Sequence, residues 1–237
     1  MLFVLVIAFF AAVTQSLTGF GLALIAMPLL TQALGVEIAA PMVALMTIST
    51  QITLLLRYRS ELNFQTVWRL SATSLIGVPL GVYGLQRVDE QIGLLILGII
   101  IIGYSIYALL NFELPEVEGP RWAYGFGFVA GLLSGAFNTP GPAVVIYGNC
   151  RRWEPKTFKS NLQGFFLLNS TMVIIIHLLS HHYTEDVWNH FFQAAPAMAL
   201  GLLAGIYLDR YINPATFRAL VLALLILVGL NLIITQL

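Results

Sequence analysis

Apolar positions run along this chain in long, nearly unbroken stretches, not in the alternation of half-buried soluble elements. Six of them, Glu37–Leu56, Thr66–Gln86, Gln91–Leu110, Lys159–Leu179, Val187–Tyr207 and Ala215–Leu237, have about 20 residues, enough for a helix to cross a hydrocarbon core. Two further stretches, Leu2–Leu34 and Trp122–Cys150, break in the middle. The first holds SLTGFGLALIAMP (Ser16–Pro28), and the second SGAFNTPGPAVVIY (Ser134–Tyr147). Glycine and proline at mid-span predict a re-entrant hairpin or a pair of short helices in each. No polar loop exceeds about a dozen residues, which leaves no room for a soluble domain.

Composition agrees with the pattern. Of 237 residues, 59% are hydrophobic and 9% charged, against roughly 25% charged in soluble domains. The start is apolar at once, without a basic n-region, and does not read as a cleaved signal peptide. Net charge is zero, so no polybasic surface for nucleic acid is expected. Cys150 is the only cysteine, which excludes an internal disulfide.

The distribution of charge orients the chain. If each broken stretch enters and leaves on one side, Arg57, Arg59, Arg69, Arg121, Arg151, Arg152, Lys156, Lys159, Arg210 and Arg218 share one compartment and Arg87 alone faces the other. The positive-inside rule makes the crowded side cytoplasmic and places both termini outside. The expected fold is therefore an all-α multi-pass membrane protein with two inverted-topology repeats, each a broken hairpin followed by three transmembrane helices. Residues 1–110 form the first repeat, 111–121 a cytoplasmic linker and 122–237 the second repeat. A gapless match supports the duplication: Gly77-Val78-Pro79-Leu80-Gly81-Val82-Tyr83 falls on Gly201-Leu202-Leu203-Ala204-Gly205-Ile206-Tyr207. Glycines four apart let helices approach closely, either within the chain or in a homodimer, so the oligomeric state stays open.

The breaks resemble the paired motifs of the TauE/SafE family, which follow G-x-G-G-G-x-x-x-x-P in each half. Here the first copy is Gly19-Phe20-Gly21-Leu22-Ala23, ending at Pro28. The second is Asn138-Thr139-Pro140-Gly141-Pro142, with Tyr147 at the last position and Asn138 replacing the leading glycine. The resemblance covers nearly the whole chain. It implies a bacterial inner-membrane exporter of sulfite or an organosulfonate.

The chemistry of a break supports an anion on its own terms. A half-helix starting after Gly19 or Pro140 points unpaired N–H groups, and roughly half a positive charge, back at the break. Two such ends would bind an anion without arginine. Thr18, Gly19, Gly21, Asn138, Thr139 and Gly141 are the binding candidates there. A lone Ser or Thr within a span ordinarily makes an interhelical hydrogen bond of about 0.6 kcal/mol. Amides cost more to bury, so Gln51, Asn161, Gln163 and Asn169 are cavity candidates, with Gln51, Asn161 and Gln163 added to the expected site.

No Asp or Glu lies mid-span, as coupling to protons or sodium would ordinarily require. With a negative interior, moving one negative charge outward gains about 2.3 kcal/mol per 100 mV, which favours facilitated efflux of an anion over ion-coupled uptake. The expected mechanism is alternating access, one repeat rocking against the other around the paired breaks. His177 and His181 have the spacing of a metal pair but no acid ligand, and His177 reads as interfacial. No metal, cofactor or nucleic acid is expected; the partners are a small anion and lipid. Trp68, Trp122, Trp153 and Trp188 read as interface anchors. The rival readings are a passive anion channel, a permease for another small polar solute, and a non-transporting assembly factor. A membrane enzyme would need convergent acid, base or metal ligands, which the spans do not carry.

Overall fold

The computed structural model describes residues 2–58, 61–110 and 114–236. Arg59, counted among the basic residues above, lies outside them. Ten helices make up the described chain: α1 (Leu2–Thr18), α2 (Leu22–Leu34), α3 (Val36–Tyr58), α4 (Phe64–Leu85), α5 (Glu90–Leu110), α6 (Arg121–Phe137), α7 (Gly141–Cys150), α8 (Pro155–Leu179), α9 (Glu185–Leu208) and α10 (Pro214–Ile234). The all-helical expectation therefore holds. Five helices, α3, α5, α8, α9 and α10, are long and apolar enough to cross a membrane. The sixth expected span, α4, has the length but is not apolar enough. Gln65, Thr66, Arg69, Ser71, Thr73 and Ser74 occupy its first half.

Local chemistry sets several helix starts. Asn63 accepts a hydrogen bond from the Thr66 N–H (3.0 Å) ahead of α4, a standard way to satisfy a free helix-start donor. Pro155 begins α8, where its missing N–H costs nothing. Glu185 and Asp186 sit in the first turn of α9, favourable to the helix dipole.

The four most extensive helix interfaces are α4 with α6, α1 with α9, α5 with α10, and α3 with α8. Each joins the first half of the chain to the second. Glycines make two of them close. A Cβ on Gly77 would lie 2.5 Å from the Phe128 carbonyl oxygen, and one on Gly131 2.6 Å from that of Ser74. On α9, a Cβ on Gly205 would stand 2.5 Å from the Ser16 Cβ, and one on Gly201 would run into the Phe9 carbonyl. Both glycine pairs noted in the sequence are thus consumed inside the chain, and neither remains for a second copy. Hydrogen bonds cross the same interfaces: Ser16 Oγ donates to the Leu202 carbonyl (3.1 Å) and Thr73 Oγ1 to that of Tyr124 (2.7 Å).

Polar groups gather at two ends. At one, Arg151 donates to the Val117 carbonyl (2.8 Å), Arg152 to the Leu114 carbonyl (3.2 Å), and Lys159 pairs with Asp209 at 3.8 Å. The described part of the 111–121 linker is strapped to the α7–α8 turn in this way, with the Val117 N–H donating to the Cys150 carbonyl (3.1 Å). At the other end Gln86 meets His182 at 3.0 Å. His177 departs from expectation. It is buried, and its Nδ1 lies 2.8 Å from Nδ1 of His182, not beside His181. The helix ends three residues before His182, and the turn folds that ring back over His177. Trp68, Trp122 and Trp188 are exposed, whereas Trp153 packs edge-on against Tyr147 and Phe158.

Candidate functional site

The first break reverses the chain on glycine. Gly19 (φ 80°) and Gly21 (φ 115°) adopt backbone conformations that side chains disfavour, and α2 starts immediately afterwards. Its groups are largely claimed by neighbours. Gln15, in the last turn of α1, accepts from the Leu22 N–H (3.1 Å) and donates to the Gly19 carbonyl (3.4 Å). Gln163 of α8 donates to that same carbonyl at 2.6 Å. Thr18 folds onto its own turn, donating to the Thr14 carbonyl (2.8 Å) and accepting from the Phe20 N–H (3.3 Å).

The second break is stiffer. Asn138 ends α6 in the left-handed conformation (φ 53°), which asparagine tolerates better than other side chains. Its N–H and that of Thr139 turn back to the carbonyls of Ser134 (2.8 Å) and Leu133 (3.3 Å). The Asn138 amide crosses to α3 and donates to the Ala40 carbonyl at 2.8 Å. Pro140 then leads into α7, whose second residue, Pro142, has no N–H to offer.

Between the breaks lies a small cavity of about 20 Å³, enough for a water molecule. Its walls are Gln15, Phe20, Gly21, Ala23 and Leu24 from the first break, Thr47 and Gln51 from α3, Asn138 to Gly141 from the second break, and Phe166 and Ser170 from α8. The two breaks touch there: a Cβ on Gly141 would stand 3.7 Å from the Phe20 ring. No ionisable side chain among the described residues lines the space. Two polar atoms in its wall are buried without a partner, Gln51 Oε1 and the Thr139 hydroxyl. The free helix-start N–H groups of Ala23 and Leu24 on α2, and of Gly141 and Ala143 on α7, make no hydrogen bond among the described residues. Donors, an unpaired hydroxyl and an amide that can turn either end inward are what a small oxyanion needs.

The structure brings Gly21, Gln51, Asn138, Thr139 and Gly141 to the cavity wall and leaves Thr18, Gly19, Asn161 and Gln163 behind it. Asn161 accepts from the Asn63 N–H (2.8 Å), tying α8 to the start of α4. Asn169, the remaining amide, bridges Ser134 of α6 and Ser74 of α4. Gln15, Thr47 and Ser170 also belong to the wall, beyond the residues expected from sequence. A signal existed: Thr47 precedes Gln51 by four residues and Ser170 follows Phe166 by four, one face of each helix.

The family model described as sulfite exporter TauE/SafE matches residues 4–232. A protein of Cupriavidus necator named probable sulfite/organosulfonate exporter TauE is 26% identical over 228 residues, covering 93% of this chain and 88% of its own. A Comamonas testosteroni protein named probable inner membrane transporter protein TsaS is 26% identical over 182 residues, covering 72% of this chain and 74% of its own. No solved structure matches the chain significantly.

Proposed function

The chain belongs to the TauE/SafE family of membrane transporters, and on that footing we propose that it carries sulfite or an organosulfonate out of the cell across the inner membrane. The cavity between the two breaks is the binding site. The observation that carries this reading is the pairing of two helix starts with unclaimed N–H groups around the unpartnered Thr139 hydroxyl and Gln51 amide oxygen. Such a site stabilises negative charge without a fixed cation in its own wall.

Residues 1–110 and 122–237 are inverted repeats joined by the 111–121 linker, with both termini outside. The partner exchange supports this: exchanging α1 for α6 and α4 for α9 turns the α1–α9 interface into α6–α4, and both are glycine-mediated. Transport proceeds by alternating access. Because glycine packs against backbone across the α1–α9 and α4–α6 interfaces, these cross-half pairs move as units and the halves do not part. A cavity of about 20 Å³ supports a carrier over an open channel, because an oxyanion enters only after the walls separate.

Sulfite efflux from loaded proteoliposomes tests the site. Gly141→Ala has room, with its Cβ 3.7 to 4.0 Å from the Phe20 and Phe166 rings, and keeps efflux. Gly141→Leu fills the space and abolishes it. If efflux survives Gly141→Leu and Thr139→Val alike, the cavity is not the site.

A further inference from the structure

A second cluster of polar groups adjoins the Phe20 ring. Tyr104 of α5 is buried, and its hydroxyl makes no hydrogen bond of ordinary geometry among the described residues. Arg218 of α10 is the charged neighbour of that hydroxyl, close enough to donate to it and leave its O–H free to point elsewhere. Its Nε is also buried without a partner, and no carboxylate pairs with the guanidinium among the described residues. Phe20 closes the group, 6.0 Å from the Arg218 Cζ and edge-on to Tyr104 with centroids 6.2 Å apart. Phe20 also lines the central cavity. Toward the basic end, Tyr104 adjoins Tyr107 (6.4 Å between centroids), and Tyr107 accepts from Asn149 at 3.2 Å, one residue from Cys150 and two from Arg151.

A half-buried guanidinium with an unused donor and no counter-charge is costly unless something anionic visits it. From this we infer that Arg218 and Tyr104 form an anion-capture site on the Arg151 side of the central cavity, with the Phe20 ring as the partition between the two. The guanidinium supplies charge and a directed N–H, and the tyrosine a second donor, a set that fits an oxyanion. An anion gathered at the basic end passes the Asn149–Tyr107 contact, pauses at Arg218, and reaches the Thr139 cavity when Phe20 swings aside. The assignment rests on the anion-transport reading above and adds a second binding station to it.

The test uses the full-length protein in proteoliposomes of known orientation, with sulfite, thiosulfate or sulfate presented to one face at a time. Arg218→Gln should raise the half-saturating concentration about 10-fold on the Arg151 face and leave the opposite face near wild type. Arg218→Lys should recover part of the loss, and Tyr104→Phe, which keeps the ring, should shift the same face about 3-fold. An equal shift on both faces reveals a merely structural role and overturns the proposal, as does no shift. If Arg218→Gln fails to fold, Tyr104→Phe decides by the same criterion. Arg218→Gln acting on one face while Thr139→Val leaves transport intact would sink the central site and keep this one; the reverse pattern would sink this one alone. A wild-type protein that carries none of the three anions overturns both.

Discussion

The two breaks face the same problem and solve it in opposite directions. At the first, the breaking residues supply only backbone, and amides from elsewhere come to it: Gln15 from α1 and Gln163 from α8. At the second, the breaking residue carries its own amide outward, and Asn138 reaches the Ala40 carbonyl of α3. Each break is therefore tied by one amide to the long helix of the other half, with donor and acceptor exchanged. The outcome differs at the cavity. The first break arrives with its polar groups mostly spoken for, while the second leaves the Thr139 hydroxyl unpaired.

The largest effect that separates them is steric. Gly141→Leu should abolish efflux, whereas enlarging Gly19 toward Gln163 Nε2, 3.6 Å from its Cβ position, should act first on stability through the left-handed backbone. Next, Gln163→Leu strips the closest donor from the Gly19 carbonyl. Thermal unfolding should report a loss of about 1–3 kcal/mol, with no comparable loss for a leucine at an exposed position. Thr139→Val should cut efflux about 10-fold with the melting temperature unchanged or raised, because a buried, unpaired hydroxyl is being removed. A fall in melting temperature instead would assign Thr139 to the scaffold. Smaller still, Asn138→Ala should be less stable than Asn138→Gly by about 1 kcal/mol, since glycine keeps the left-handed turn and both lose the bond to Ala40.

The smallest prediction concerns the end away from Arg151. Burial holds the His182 imidazole below its ordinary value of 6.5, although Glu37 pulls the other way. His177 and Gln86 contact the same ring. As pH falls through 6.5 the unfolded chain takes up the proton before the folded one, so native stability drops on acidification. The melting temperature should decline from pH 7 to pH 5, and His182→Gln should flatten part of that slope.

Much of this was legible in the chain because the breaks announce themselves: glycine or proline clustered with small polar residues at mid-span has few uses in a continuous helix. Gln51 and Asn138 stood out because amides rarely sit in lipid unemployed. What the sequence hid was employment. Asn161 and Gln163 are two residues apart and look alike, yet one holds the start of α4 and the other the Gly19 carbonyl. Gln15 lies within one turn of the break it caps, but its role depends on a reversal set by two unusual glycine conformations. The pairing of α4 with α6 and α1 with α9 was hidden too, because a close-packing glycine names its own helix and never its partner.

That pairing has a consequence for how the protein is made. Ser16 bonds to a carbonyl 186 residues further along, so α1 leaves the ribosome long before its packing surface exists. At roughly 5–20 residues per second the delay is on the order of 10–40 seconds. Throughout it, the face of α1 that carries Phe9, Val13 and Ser16 must rest against lipid or an insertion factor. Premature termination anywhere before α9 would leave that face of α1 without its partner.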